Sequence, residues 1–166
     1  GSDRYAVKLF EDMVAEVLAL TGEDSPVKVR RVLRNSCMLS SDVSAAYDPL
    51  YPEVFEKKNT VYFGRGLVLN KYQEAGKEGT NDANAEYVAK VRNVFGNNHV
   101  VFQTAELGKV DQGGGGTIAY VMANKAMSVI DSGVAVLSMH APYEVTSKSD
   151  VYEVYRVYKV FLKDMK

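Results

Sequence analysis

Helix-period and strand-period segments alternate along the chain, and this alternation restricts the fold more than any other feature of the sequence. Strands separated by helices favour a layered α/β fold with a largely parallel sheet, whose sites form beyond the strands' C-terminal ends. From Arg4 to about Thr21, Val7, Phe10, Val14, Val17 and Leu18 recur at three- and four-residue steps, so they line one helix face, with Gly22 as a stop. Val27 to Asn35 alternates like a strand, and Cys37 to Val43 reads as a second, with Ser40-Ser41-Asp42 at its end. Tyr47 to Gly64 has two prolines and no clean period, which predicts a loop before a short strand, Gly66 to Lys71.

Asp82 to Phe95 spaces Ala85, Val88, Val91 and Val94 as a helix, with Asn81 or Asp82 as its cap. His99 to Thr104 is a β-branched run, and the tetraglycine Gly113 to Gly116 leads into a helix from Thr117 to about Met127. Val129 to Met139 reads as a strand. A last helix opens at Ser149-Asp150 and places Val151, Val154, Tyr158, Phe161, Leu162 and Met165 on its buried face.

The 166 residues suit one domain, and no stretch reaches the roughly 20 apolar residues that span a bilayer. A formal net charge of −1 provides no strong field for phosphate backbones or anionic membranes, so neither nucleic acid nor a membrane is an expected partner. The single cysteine, Cys37, cannot form an internal disulfide and no secretory leader is visible, which favours a cytoplasmic protein. Gly1-Ser2 reads as a cloning scar.

Two residues are candidates for metal ligation, each with a plainer alternative. Asp42 follows an apolar strand, where a carboxylate reaches a cation without crossing the core; by position alone, a helix or turn cap made by Ser41 or Asp42 is the more common use of such residues. His140 closes the run Leu137-Ser138-Met139-His140, with Pro142 enforcing a turn, and its imidazole suits ligation as well as a surface hydrogen bond. The stretch Asp111 to Thr117 could hold an anion on free amides or act as a flexible connection, and it lacks the Gly-Lys-Ser/Thr of a P-loop. Lys71 could meet a substrate carboxylate or remain solvated. His99 reads as a turn residue.

Taken together, Ser40-Ser41-Asp42-Val43-Ser44-Ala45-Ala46, Gly66 to Tyr72, Glu106 to Asp111 with the tetraglycine, and Val136-Leu137-Ser138-Met139-His140 resemble the aspartyl aminopeptidase and aminopeptidase I family of zinc metallopeptidases, especially its bacterial branch. The resemblance runs from about Phe10 to the C-terminus. It implies a three-layer α/β/α peptidase fold with two zinc ions, a peptide substrate and a large homo-oligomer, of which residues 1–166 match the C-terminal part of the catalytic domain. By resemblance Asp42 and His140 each bind a different zinc, while Lys71, Gly115, Gly116 and Thr117 line the substrate pocket. The family's other ligands and its glutamate base precede this segment, so the resemblance implies a chain inactive by itself. Aspartyl-specific members carry a histidine where Ala45 stands, which removes one argument for acidic N-terminal residues. The competing expectation is a non-catalytic, self-associating α/β module, and a third is a small anion-binding protein built on the tetraglycine.

Overall fold

The sheet is organised by residues 128–137, where Val, Ile and Ala dominate and suit burial on both faces of a pleated strand. The computed structural model of the protein describes residues 2–73, 81–106, 108–109 and 117–166. Its helices are α1 (Ser2–Leu20), α2 (Pro26–Arg34), α3 (Ala85–Asn97), α4 (Ala119–Ala123) and α5 (Lys148–Asp164). Its strands are β1 (Cys37–Ala45), β2 (Leu67–Asn70), β3 (Tyr72–Gln73), β4 (Asn81–Asp82), β5 (Phe102–Ala105), β6 (Ser128–Leu137) and β7 (Val145–Thr146).

The main sheet runs β1-β6-β2-β5, with β7 paired to the end of β6. β1 is parallel to β6 and β2 to β5, whereas β6 and β2 are antiparallel. On one face, α3 and α5 bury Tyr87, Val91, Phe95, Val154 and Val157 against Leu67, Leu69 and Ile130. On the other, α1, α2 and α4 bury Val7, Leu33, Ala119 and Met122 against Met38 and Val129. The expected three-layer α/β/α arrangement with a mostly parallel sheet is therefore the arrangement observed.

Two glycines set how closely neighbouring strands approach within the sheet. Gly133 of β6 lies opposite Asp42, and a Cβ added there would fall 1.5 Å from the Asp42 carbonyl oxygen. Gly66 has φ +76°, and a Cβ there would fall 2.0 Å from the Val101 carbonyl, which accepts the Leu67 amide at 3.1 Å. The first two turns of α5 then fasten this corner. The buried Asp150 carboxylate accepts the amides of Gly64 at 2.8 Å and Gly66 at 2.9 Å, and Glu153 accepts that of Val101 at 3.0 Å. Burial works against the charge of Glu153, but the Val101 amide and the Arg156 guanidinium outweigh it and hold the carboxyl below its usual range. Burial, and secondarily the neighbouring Cys37, push the Tyr87 phenol upward, so its hydroxyl stays a donor to the Met38 carbonyl at 2.9 Å.

Several expectations are corrected. Val27 to Arg34 is helical and Asn35 is its C-cap: Pro26 is preset for the first helical turn after extended Ser25, and Leu33 alone of that helix is buried, so its apolar alternation does not mark a sheet face. Ser40-Ser41-Asp42 lies inside β1, because the strand keeps pairing with β6 through Ala45. The cap of α3 is Asn84, whose side chain accepts the Tyr87 amide at 2.8 Å, while Asn81 and Asp82 form β4. α4 is shorter than the expected Thr117 to Met127 helix. Along α1 only Val7 of the expected stripe is buried, and Val17 is 60% exposed; on α5, Val151 and Leu162 face outward while Val154 and Val157 take the core positions.

Gly133→Ala forces β1 and β6 apart and costs about 3 kcal/mol or more, which scanning calorimetry reads as a melting temperature lower by roughly 10 °C. Because the Glu153 carboxyl is depressed in the fold, its stabilisation is present above the unfolded carboxylate range near about 4.3 and is lost as pH falls through the lower folded value. Chemical unfolding of wild type and Glu153→Gln therefore differs most near neutral pH, and the two converge in acid.

Candidate functional site

A parallel pair places paired side chains on the same face, so Met38, Ser40, Asp42 and Ser44 of β1 share a face with Val129, Asp131, Gly133 and Ala135 of β6. Asn70 of β2 joins them opposite Asp131. The result is a polar strip within an otherwise apolar layer. Ser44 and Asn70 hydrogen-bond at 3.3 to 3.4 Å, and Thr117 Oγ1 donates to Asp131 Oδ1 at 3.0 Å while accepting the Ala119 amide at 3.2 Å. Ser40 Oγ is buried without a hydrogen-bond partner among the described residues.

Asp42 stands on this strip with an exposed side chain, for Gly133 opposite contributes no side chain to cover it. One of its oxygens, Oδ1, accepts the Val43 amide at 2.8 Å, which orients the carboxylate at the open edge of the sheet. β1 has no second strand partner among the described residues.

His140 lies in the connection between β6 and β7, beyond the C-terminal end of β6. Ser138 and His140 have φ +57° and +67°, unusual for residues with a Cβ and worth about 1–3 kcal/mol of strain each. Three bonds hold this conformation: the Ala141 amide to the Ser138 carbonyl at 3.0 Å, the His140 amide to Glu144 Oε1 at 2.5 Å, and the β6–β7 pairing of Leu137 with Val145. The His140 side chain is exposed. A cavity of about 250 Å³ opens beside Met139, walled by Ala45, Ala46, Asp48, Tyr51 and Phe55 at the C-terminal ends of β1 and β6.

The other sequence candidates fare differently. Lys71 pairs with Asp82 at 2.5 Å, with both side chains largely exposed, so its charge is partly neutralised by a weak surface contact. Thr117 is anchored to Asp131, and Gly115 and Gly116 lie outside the described residues. The sequence pattern assigns no role to Asp131 or Asn70, although an aspartate in the middle of an apolar strand is a visible signal. Asp42 and His140 offer donors of the kinds zinc accepts, a carboxylate oxygen and an imidazole nitrogen. In number they do not suffice, since no group of three or more His, Cys, Asp or Glu able to hold a metal occurs among the described residues.

Glu144→Ala removes the acceptor that fixes the His140 amide. Losing a net 1.4 kcal/mol, within the usual range for such a bond, accelerates exchange of that amide about tenfold; exchange followed by NMR checks this, with the β6 amides unchanged.

A family model described as aminopeptidase I zinc metalloprotease (M18) matches residues 2–162. A probable M18 family aminopeptidase 1 of Clostridium acetobutylicum is 56% identical over 165 residues, covering 99% of this chain and 36% of that protein. The crystal structure of aminopeptidase I from the same organism superposes with a TM-score of 0.83 at 54% identity, over 93% of this chain and 33% of that one. The Saccharomyces cerevisiae mApe1 dodecamer superposes with a TM-score of 0.66 at 26% identity, over 81% of this chain and 28% of that one. The chain thus spans about a third of the length of the relatives it matches.

Proposed function

The chain belongs to the aminopeptidase I zinc metalloprotease family (M18), and from that premise we propose that residues 1–166 form the C-terminal part of the catalytic domain of a two-zinc aminopeptidase. In that reading Asp42 and His140 each ligate a different zinc. The remaining ligands and the glutamate base come from sequence outside these residues, and the intact enzyme removes N-terminal residues from peptides in the cytoplasm. The observation that carries the reading is that both residues come from one parallel strand pair, Asp42 with its exposed carboxylate on β1 and His140 from the strained turn at the end of β6.

A single ligand per metal falls short of the roughly three protein ligands of a catalytic zinc site. The chain alone is therefore proposed to hold zinc weakly and to lack peptidase activity. Lys71, Gly115, Gly116 and Thr117 are proposed to line the substrate pocket, with Lys71 exchanging its Asp82 partner for the substrate. Ala45, in place of a histidine, argues against a strict preference for acidic N-terminal residues. As Saccharomyces cerevisiae mApe1 is a dodecamer, this protein too is proposed to be oligomeric. Leu9, Met13, Val17 and Leu20 leave α1 with exposed apolar surface, which supports the second reading, a self-associating module without catalysis.

Zinc titration by calorimetry and an aminoacyl-p-nitroanilide assay test the proposal together. The 166-residue chain is expected to show no turnover and no tight stoichiometric zinc, and tight zinc with turnover would overturn the division of the site. In the longer enzyme, His140→Ala or Asp42→Ala should lower kcat/KM more than a hundredfold, beyond the roughly 10–100-fold loss typical of an outer-shell partner. Unimpaired turnover would refute the ligand assignment.

A further inference from the structure

The nine residues of α2 carry four positive charges, Lys28, Arg30, Arg31 and Arg34. Glu23 pairs with Lys28, but the three arginines make no ion pair among the described residues. Arg31 and Arg34 sit in the last turn, where the helix dipole favours cations. That does not account for Arg30, which stands one turn before Arg34 and repels it. All three line a cleft of about 750 Å³ together with Glu11 of α1 and the turn Asn124-Lys125-Ala126 after α4.

Lys125 takes up the Glu11 carboxylate at 2.9 Å, which leaves the three guanidinium groups uncompensated. The facing turn is itself strained, with Ala126 at φ +64°. Val27 and buried Leu33 give the cleft apolar surface between the charges.

We propose that this cleft is a binding site for a polyphosphate group, either free or carried by a small molecule such as a nucleotide. Guanidinium forks match phosphate oxygens in pairs, and several within one helix face suit a compact ligand of high charge density. An acidic peptide, whose carboxylates sit on mobile side chains along an extended backbone, matches that concentration less well. The volume falls within the range of small-molecule sites and exceeds what one phosphate fills. A formal net charge of −1 over the whole chain makes the local excess a property of this cleft, not of the surface at large. The proposal does not depend on the peptidase reading.

Calorimetric titration of the 166-residue chain with tripolyphosphate, ATP and hexaglutamate, at ionic strength fixed with chloride, tests it. Tripolyphosphate is expected to bind one per chain. Arg30→Gln/Arg34→Gln, on exposed positions, should weaken binding at least about tenfold with an unchanged circular dichroism spectrum, and Arg92→Gln on exposed α3 should leave it unchanged. ATP binding more tightly than tripolyphosphate would identify a nucleotide, and equal affinity the phosphate chain alone; either supports the site. No saturable binding, equal binding by the double variant, or hexaglutamate matching tripolyphosphate would overturn it.

Discussion

Where the edge strand β1 meets β6, the β1 backbone at Asp42 approaches so closely that residue 133 has room only for hydrogen on its α-carbon. This contact fixes the β1–β6 register, and through it much of what surrounds it. It keeps Ser40 opposite Asp131 and Ser44 opposite Ala135, so these polar side chains share one face, while Ser41 and Ser132 pair on the other. The same missing side chain leaves the Asp42 carboxylate uncovered. β6 also pairs with β2 in the opposite direction and lies between two helical layers, so it is long and mostly buried on both faces.

The layered fold was legible in the sequence because the periods of β6, α3 and α5 are long and the residues between them are turn formers. The departures from the sequence pattern are local. Val27, Val29 and Leu33 alternate on a helix because positively charged residues fill the gaps between them, and Pro26 is a helix-start signal that the alternation masked. Asp42 was placed at a strand end because polar residues usually close an apolar run; β1 continues past it since pairing with β6 satisfies the backbone regardless of side-chain polarity. The α1 stripe was visible as a pattern, but no pattern reveals whether another surface covers it.

The candidate ligands were legible as types and as motif order rather than as geometry. The left-handed conformations of Ser138 and His140 have no sequence signal, since neither is glycine, and the Glu144 bond that holds the turn spans residues too polar and short for any periodicity. Asp131 and Asn70, buried in the strip that carries Asp42, belong to strands whose apolar neighbours dominated the reading. A strip of this kind costs desolvation, which its internal hydrogen bonds to Ser44 and Thr117 offset.

The Asp150 carboxylate reaches amides 84 and 86 residues earlier in the chain. Closing so long a loop is slow, because its entropy is lost before the contact is gained. The corner where β2 and β5 begin thus waits for α5, so the half of the sheet farther from β1 should be the last to settle during folding. Until then the edge of β6 that β2 will cover stays open, which makes the interval before α5 docks the time when this chain is most exposed to mispairing.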